Sequence, residues 1–194
     1  MQPVSVVEGR IVPLDRADVD TDQIMPKQFL KRIDRTGFGE FVFADWRNDP
    51  DFVLNDPARA GAKVLVTGPN FGSGSSREHA PWGLQQWGFD AVVAPSFADI
   101  FATNCAKIGL LAVVLPPAVC KALIAAAEAD PALICRVDLA AQRVTAGAIA
   151  AEFDINPHTK HLLLEGLDDI GMTLQHSAAI AAFEATRPAY LPTT

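Results

Sequence analysis

From Lys63 onward, short apolar runs alternate with segments of helical spacing, and glycine or proline marks most of the joints. Val64–Thr67 is a β-branched run that stops at Gly68-Pro69 and reads as a strand. A glycine-rich loop follows, then a helix from about Arg77 to Trp87 closed by Gly88. Ala91–Ala94 is the next strand, and Phe97–Lys107 is the next helix, ended by Gly109. Leu111–Leu115 is a third strand, after which Pro116-Pro117 opens an alanine-rich helix reaching Glu128. This repetition predicts an α/β fold with a partly parallel sheet and helices packed on it. Cys135–Leu139 and Arg143–Ala146 read as a hairpin, and Ile149–Ile155 as one more strand. Pro157–Glu165 and Leu174–Thr186 read as two closing helices.

Residues Met1–Ala62 have a different texture. Their β-prone runs, Ser5–Val12 and Phe41–Phe43, are short and are broken by Asp, Gly and Pro. That pattern predicts a loop-rich, strand-poor segment that wraps over a site rather than building the core. Arg47–Pro57, with its Asn, Asp and Pro, reads as an exposed excursion. Residues 1–194 are expected to form a single domain with a helical tail from about residue 157.

Composition narrows the function classes. With 49% hydrophobic and 20% charged residues, the 194-residue chain can bury a core without disulfides. Lys and Arg total 16 against 23 Asp and Glu, a net charge of −7, and the basic residues are not clustered. Both facts argue against a nucleic-acid partner. No apolar stretch approaches the roughly 20 residues that span a bilayer, so no membrane partner is expected. Met1–Arg10 lacks the basic-then-apolar order of a secretory signal, and a cytoplasmic location is expected. Cys105, Cys120 and Cys135 are widely spaced, unlike zinc or iron–sulfur ligand sets. They read as unconnected core thiols, and no metal site is expected on this chain.

The segment that carries chemistry is Asn70-Phe71-Gly72-Ser73-Gly74-Ser75-Ser76-Arg77-Glu78-His79-Ala80. Gly72 and Gly74 let backbone N–H groups turn toward one concavity, and a helix start adds donors and a positive dipole end. Ser75 and Ser76 suit an N-cap, and Arg77 adds a planar fork for a carboxylate or phosphate. There is no lysine as in a Walker loop. Arg77 stands where a dinucleotide loop needs its third glycine and where a nucleophile elbow needs its last. Two readings stay open on local physics: a compact-anion site, which is favoured, and a purely structural helix cap.

Gly72–Ala80 followed by Pro81-Trp82-Gly83 resembles the signature of the swivelling domain of the aconitase superfamily. Pro95–Phe101 with Asn104 and Gly109–Leu111 continues the match, and Asp18–Ile24 supplies its upstream element. Arg35–Gly39, Asp45–Arg47, Gly171–His176 and Ile180–Phe183 extend the likeness along nearly the whole chain. Within the superfamily these motifs are similar to the small subunits of bacterial 3-isopropylmalate dehydratase.

The resemblance implies a swivelling β/β/α domain of the aconitase small-subunit type, with helices on one side of stacked sheet layers. It implies a hydro-lyase subunit of leucine biosynthesis that converts 2-isopropylmalate to 3-isopropylmalate by losing and regaining water. The partner it implies is a large subunit that bears a [4Fe–4S] cluster, with no cofactor on this chain. By the same carry-over Ser75 is the proton-transferring base and Arg77 grips a substrate carboxylate. Ser76 and Gly74 add contacts to the substrate, and Asp22 approaches from the irregular half. Substrate choice is attributed to Met25–Arg32, where Phe29 and Leu30 suit an isopropyl group. Lys31 or Arg32 would instead meet a third carboxylate, as in a homoaconitate-type substrate; citraconate-type hydro-lyases and a non-catalytic anion-binding module are further alternatives. His79 follows Ser75 by four residues, which allows a Ser–His pair, although a packing role is preferred.

Overall fold

Ser5–Val12 does form a strand, and that strand is the middle of the sheet. The computed structural model describes residues 1–31 and 36–188. In chain order its elements are β1 (Val6–Leu14), α1 (Thr21–Ile24), β2 (Val64–Thr67), α2 (His79–Trp87), β3 (Ala91–Ala94), α3 (Asp99–Ile108) and β4 (Leu111–Val114). They continue with α4 (Pro117–Ala129), β5 (Ile134–Asp138), β6 (Arg143–Ala146), β7 (Ile149–Glu152), α5 (Pro157–Glu165), α6 (Asp169–Leu174) and α7 (Ser177–Ala185). The strands join in the order β4-β3-β2-β1-β5-β6-β7. β1 pairs parallel to β2 with Ile11 opposite Val64, and antiparallel to β5 with Val7 opposite Val137.

Strand side chains alternate between faces, and here the alternation sorts them into two cores. Val12, Leu14, Leu65, Val92 and Ala94 meet Leu84 of α2 and Phe101 and Cys105 of α3. Ile11, Val64, Val66, Val93 and Val113 meet Cys120, Leu123, Ile124 and Ala127 of α4. Covered on both sides, β2 and β3 are buried along their whole length, as parallel strands generally are. Cys135, Val137, Val144 and Ala146 from the antiparallel half reach that second core too, so the sheet curls around α4. The expected layers are thus two halves of one curled sheet. Its helices lie on both faces, not on one.

The first 62 residues are not an overlay. Besides β1, they supply Ile24, Met25, Phe38, Val42, Phe43 and Phe52 to the first core. Among the described residues between 27 and 59 the backbone forms five short 3₁₀ turns, which have no long period for apolar residues to follow. Phe41–Phe43 is not a strand; the Val42 N–H turns back to the Gly39 carbonyl at 3.2 Å, and Phe43 is left-handed at φ 51°. In Arg47–Pro57 the aspartates are exposed, but Phe52 and Leu54 are buried. Arg59 is buried too. It donates to the carbonyls of Ile11 (3.1 Å) and Ala127 (2.7 Å) and so ties β1 to α4.

At the other end, β7 stops at Glu152, and among the described residues three helices follow instead of two. Gly166, at φ 67°, closes α5, and Asp168 caps α6 by accepting the Gly171 N–H at 2.7 Å. No helix among the described residues is long and apolar enough to cross a membrane.

Candidate active site

β2 ends where the Gly68 N–H meets the Arg16 carbonyl at 3.1 Å, and the chain then turns into the serine loop. Asn70 is left-handed, at φ 56°. Its side chain donates to Asp18 Oδ1 at 2.8 Å, and its N–H donates to Ser96 Oγ at 2.9 Å. Phe71 is buried and pairs as a β-bridge with Phe97, just ahead of α3. That pairing keeps Ser96 and Phe97 extended, so α3 starts at Asp99 rather than at Phe97. Gly72 sits at φ 79° with the Phe101 ring directly against its α-carbon, and its N–H donates to the Val19 carbonyl at 2.7 Å.

The loop's other wall is the Asp18–Ile24 element. The Thr21 N–H donates to the Ser73 carbonyl at 2.9 Å, and the Ser75 N–H donates to Thr21 Oγ1 at 3.0 Å. The Ser76 carbonyl accepts from Asn104 Nδ2 at 3.0 Å. The N–H groups of Gly74, Ser76 and Arg77 meet no acceptor among the described residues. Ser75 is half-buried, whereas Gly74, Ser76 and Arg77 are exposed. The serines do not cap a helix: α2 begins only at His79, and Glu78 stands at its N-cap without a side-chain bond. The loop is therefore an open run of backbone donors ahead of the helix, a geometry suited to an anion.

Charge is concentrated at one side of this loop. Arg77 Nη1 lies 3.1 Å from Asp22 Oδ1, and Lys27 Nζ lies 3.7 Å from Asp22 Oδ2. Asp22 is presented by α1, whose start is fixed by a capping box. Asp20 accepts the Gln23 N–H at 2.7 Å, and Gln23 accepts the Asp20 N–H at 2.9 Å. Exposed ion pairs of this kind contribute at most about 1 kcal/mol, so a bound carboxylate can replace Asp22 on the guanidinium.

The structure thus brings Asp22, Gly74, Ser75, Ser76 and Arg77 together. Phe29 and Leu30 lie on the 3₁₀ turn Lys27–Lys31 and pack against the first core, with Phe29 stacked on Phe41 at 4.0 Å. Arg32 lies outside the described residues. His79 does not share a helix face with Ser75, because Ser75 precedes the helix. Its ring contacts Phe38 and Trp82 at 5.2 and 5.0 Å, and its buried Nδ1 has no hydrogen-bond partner among the described residues. Burial, aided by the Arg77 charge and opposed by Glu78, lowers its pKa below the ordinary 6.5. Sequence reasoning gave no role to Thr21, Asn104 or Lys27. A usable signal existed for Asn104, a polar residue three positions after Phe101 on the apolar face of a helix.

Among the described residues no three His, Cys, Asp or Glu side chains gather as a metal site would require. All three cysteines are buried. Burial pushes the Cys105 thiol up, Cys120 to about 11 and Cys135 to about 12.

Residues 1–118 match the family described as the aconitase C-terminal domain. Residues 169–194 match the family described as the C-terminal domain of the 3-isopropylmalate dehydratase small subunit. A 3-isopropylmalate dehydratase small subunit from Parafrankia sp. is 56% identical over 194 residues, covering 100% of both chains. The chain belongs to the 3-isopropylmalate dehydratase small-subunit family. The small subunit of Rubrobacter xylanophilus is 53% identical over 99% of this chain and 98% of its own, and that of Acidothermus cellulolyticus 55% over 100% and 98%. A solved 3-isopropylmalate dehydratase structure from Methanocaldococcus jannaschii matches with a TM-score of 0.66 at 24% identity, covering 91% of this chain and 98% of that one. The likeness shows the fold, and the aconitase-type class read from the motifs is borne out.

Proposed function

We propose that this small-subunit family member works in a cytoplasmic heterodimer as a 3-isopropylmalate dehydratase, a hydro-lyase of leucine biosynthesis. In this reading residues 1–194 act as one swivelling domain, with the helical tail from about residue 157. The substrate 2-isopropylmalate loses a proton from the methylene carbon and hydroxide from the carbon bearing the isopropyl group. Water then returns with the two positions exchanged. Ser75 is the group that takes and returns the proton. A serine hydroxyl is a poor base unless its alkoxide is stabilised, and the N–H groups of Ser76 and Arg77, which meet no acceptor among the described residues, supply that with the Arg77 guanidinium. Arg77 grips one substrate carboxylate in place of Asp22, and the Gly74 N–H and the Ser76 hydroxyl add hydrogen bonds. Phe29 and Leu30 form the side of the site that chooses the substituent, a role that Arg32, from the same stretch of sequence, shares in this reading.

Expelling hydroxide calls for a Lewis acid, which the family pattern assigns to a [4Fe–4S] cluster on the large subunit. The observation that supports this reading best is the closure of Asp22, Arg77 and the Ser75 loop, from distant parts of the chain, into one donor-rich face. The test is an anaerobic isomerisation assay on 2-isopropylmalate. This chain is assayed alone, then with a cluster-bearing large subunit, with Ser75→Ala alongside. Turnover is expected only in the wild-type mixture, and Ser75→Ala should lower kcat by about 10²-fold or more with KM little changed. Retained turnover in Ser75→Ala would sink the base assignment. An inert wild-type mixture would sink the substrate reading.

A further inference from the structure

We infer that Asn104 and Thr21 are positioning residues that pin the backbone on either side of the Ser75-Ser76 pair. This rests on the catalytic reading of Ser75 given above. Among the described residues the buried polar or charged side chains are Thr21, Arg59, Thr67 and Asn104. Two of these converge on one short loop. Thr21, on α1 and 4% exposed, accepts the Ser75 N–H. Asn104, on α3 and 7% exposed, donates to the Ser76 carbonyl.

Burying an amide or a hydroxyl is unfavourable unless it is hydrogen-bonded, so these partners are not incidental to the loop. Their geometric effect follows from peptide planarity. A trans peptide points its C=O and the next N–H in opposite directions. Holding the Ser76 carbonyl against Asn104 therefore turns the Arg77 N–H away from α3. That N–H is one of the donors without an acceptor. Holding the Ser75 N–H on Thr21 likewise sets the peptide that enters Ser75. Both serine side chains leave the backbone between these two anchors.

α3 also supports the loop from beneath. Phe101 and Asn104 lie three residues apart on one helix face, with Phe101 against Gly72 and Asn104 against Ser76. A shift of α3 would move both ends of the Gly72–Ser76 segment together. Small displacements of a reacting group are costly in rate.

The test uses the wild-type complex with the large subunit, then Asn104→Leu, Thr21→Val and Thr21→Ser. Leucine keeps the approximate size of asparagine without its donor. Valine keeps the shape of threonine without its acceptor, and serine restores the acceptor. Asn104→Leu and Thr21→Val should each lower kcat by about tenfold or more, with KM and large-subunit affinity within about threefold. Thr21→Ser should recover at least half of the wild-type kcat.

Amide exchange of the isolated chain gives a readout independent of turnover. Ser75 N–H protection should fall in both damaging variants while protection in β2 and β3 stays unchanged. If the wild-type complex is inert on 2-isopropylmalate, the functional reading fails, and Ser75 protection alone decides whether the two anchors hold the loop. Unchanged kcat in an active complex would overturn the inference, as would Thr21→Ser as impaired as Thr21→Val, or protection lost across the sheet. Should Asn104→Leu fail to fold, the Thr21 pair decides it.

Discussion

Replacing Gly72 by alanine sets a methyl group against the Phe101 ring. An added Cβ would lie 2.1, 2.4 and 2.6 Å from three ring carbons of Phe101. Carbon contacts are comfortable at about 3.5 Å or more, so the ring must retreat by more than an ångström. It has little room: Phe101 is 2% exposed and stands 5.4 Å from Phe71 and 6.2 Å from Phe97 between ring centroids. Overpacking of this kind costs about 1–3 kcal/mol. The left-handed backbone at φ 79° costs alanine about 1 kcal/mol more. Gly74→Ala is the matched control, because its φ is 91° but the nearest atom to its added Cβ is 3.5 Å away. Only the backbone penalty, about 1 kcal/mol, applies there. Urea denaturation should therefore show Gly72→Ala destabilised by about 3 kcal/mol and Gly74→Ala by about 1 kcal/mol. In thermal melts these correspond to shifts of about 6–12 °C and 2–4 °C for a chain of this size. Equal losses in the two variants, within about 0.5 kcal/mol, would refute the packing argument and leave φ as the whole effect.

Two further outcomes concern titratable groups. The three thiols are buried and held protonated, so native protein at about pH 8 should react with a thiol reagent far more slowly than unfolded protein, which should release all 3 cysteines; a rapid stoichiometric burst from native protein would contradict that burial. His79 has a folded-state pKa below 6.5, so the unfolded chain binds its proton more readily. Its neutral form favours folding above 6.5, and that advantage is lost as pH falls below 6.5 toward the folded-state value. Denaturation midpoints between about pH 7 and 5 should fall more steeply for wild type than for His79→Gln, and parallel curves would show that the histidine is not the cause.

Much of the carboxy-terminal two-thirds was legible because its signals are local. Val64–Thr67, Ala91–Ala94 and Arg143–Ala146 were read to the residue, since β-branched or apolar runs between turn residues have few alternatives. Gly88 and Gly109 closed their helices as expected, both at positive φ. Element starts were less legible. α2 begins two residues after Arg77 because the serine loop is held open by Thr21 and Asn104, which are contacts from remote segments. The first 62 residues were misread for a related reason. Phe38, Phe43 and Phe52 are core residues in turns and irregular backbone between short 3₁₀ turns, where burial follows no period.

By itself the sequence determined the α/β class, most strand positions and the motifs that place this chain in its family, because period, turn chemistry and motif order act over a few residues. It also singled out Ser75, Ser76, Arg77 and Asp22. Tertiary structure decided that β1 joins the two halves of the sheet and that the sheet curls around α4. It decided as well that Asp22 meets Arg77 across 55 positions of chain and that two buried side chains brace the serines. These features rest on contacts between segments far apart in sequence, whose free energy arises only when a fold brings both partners together and excludes water from between them.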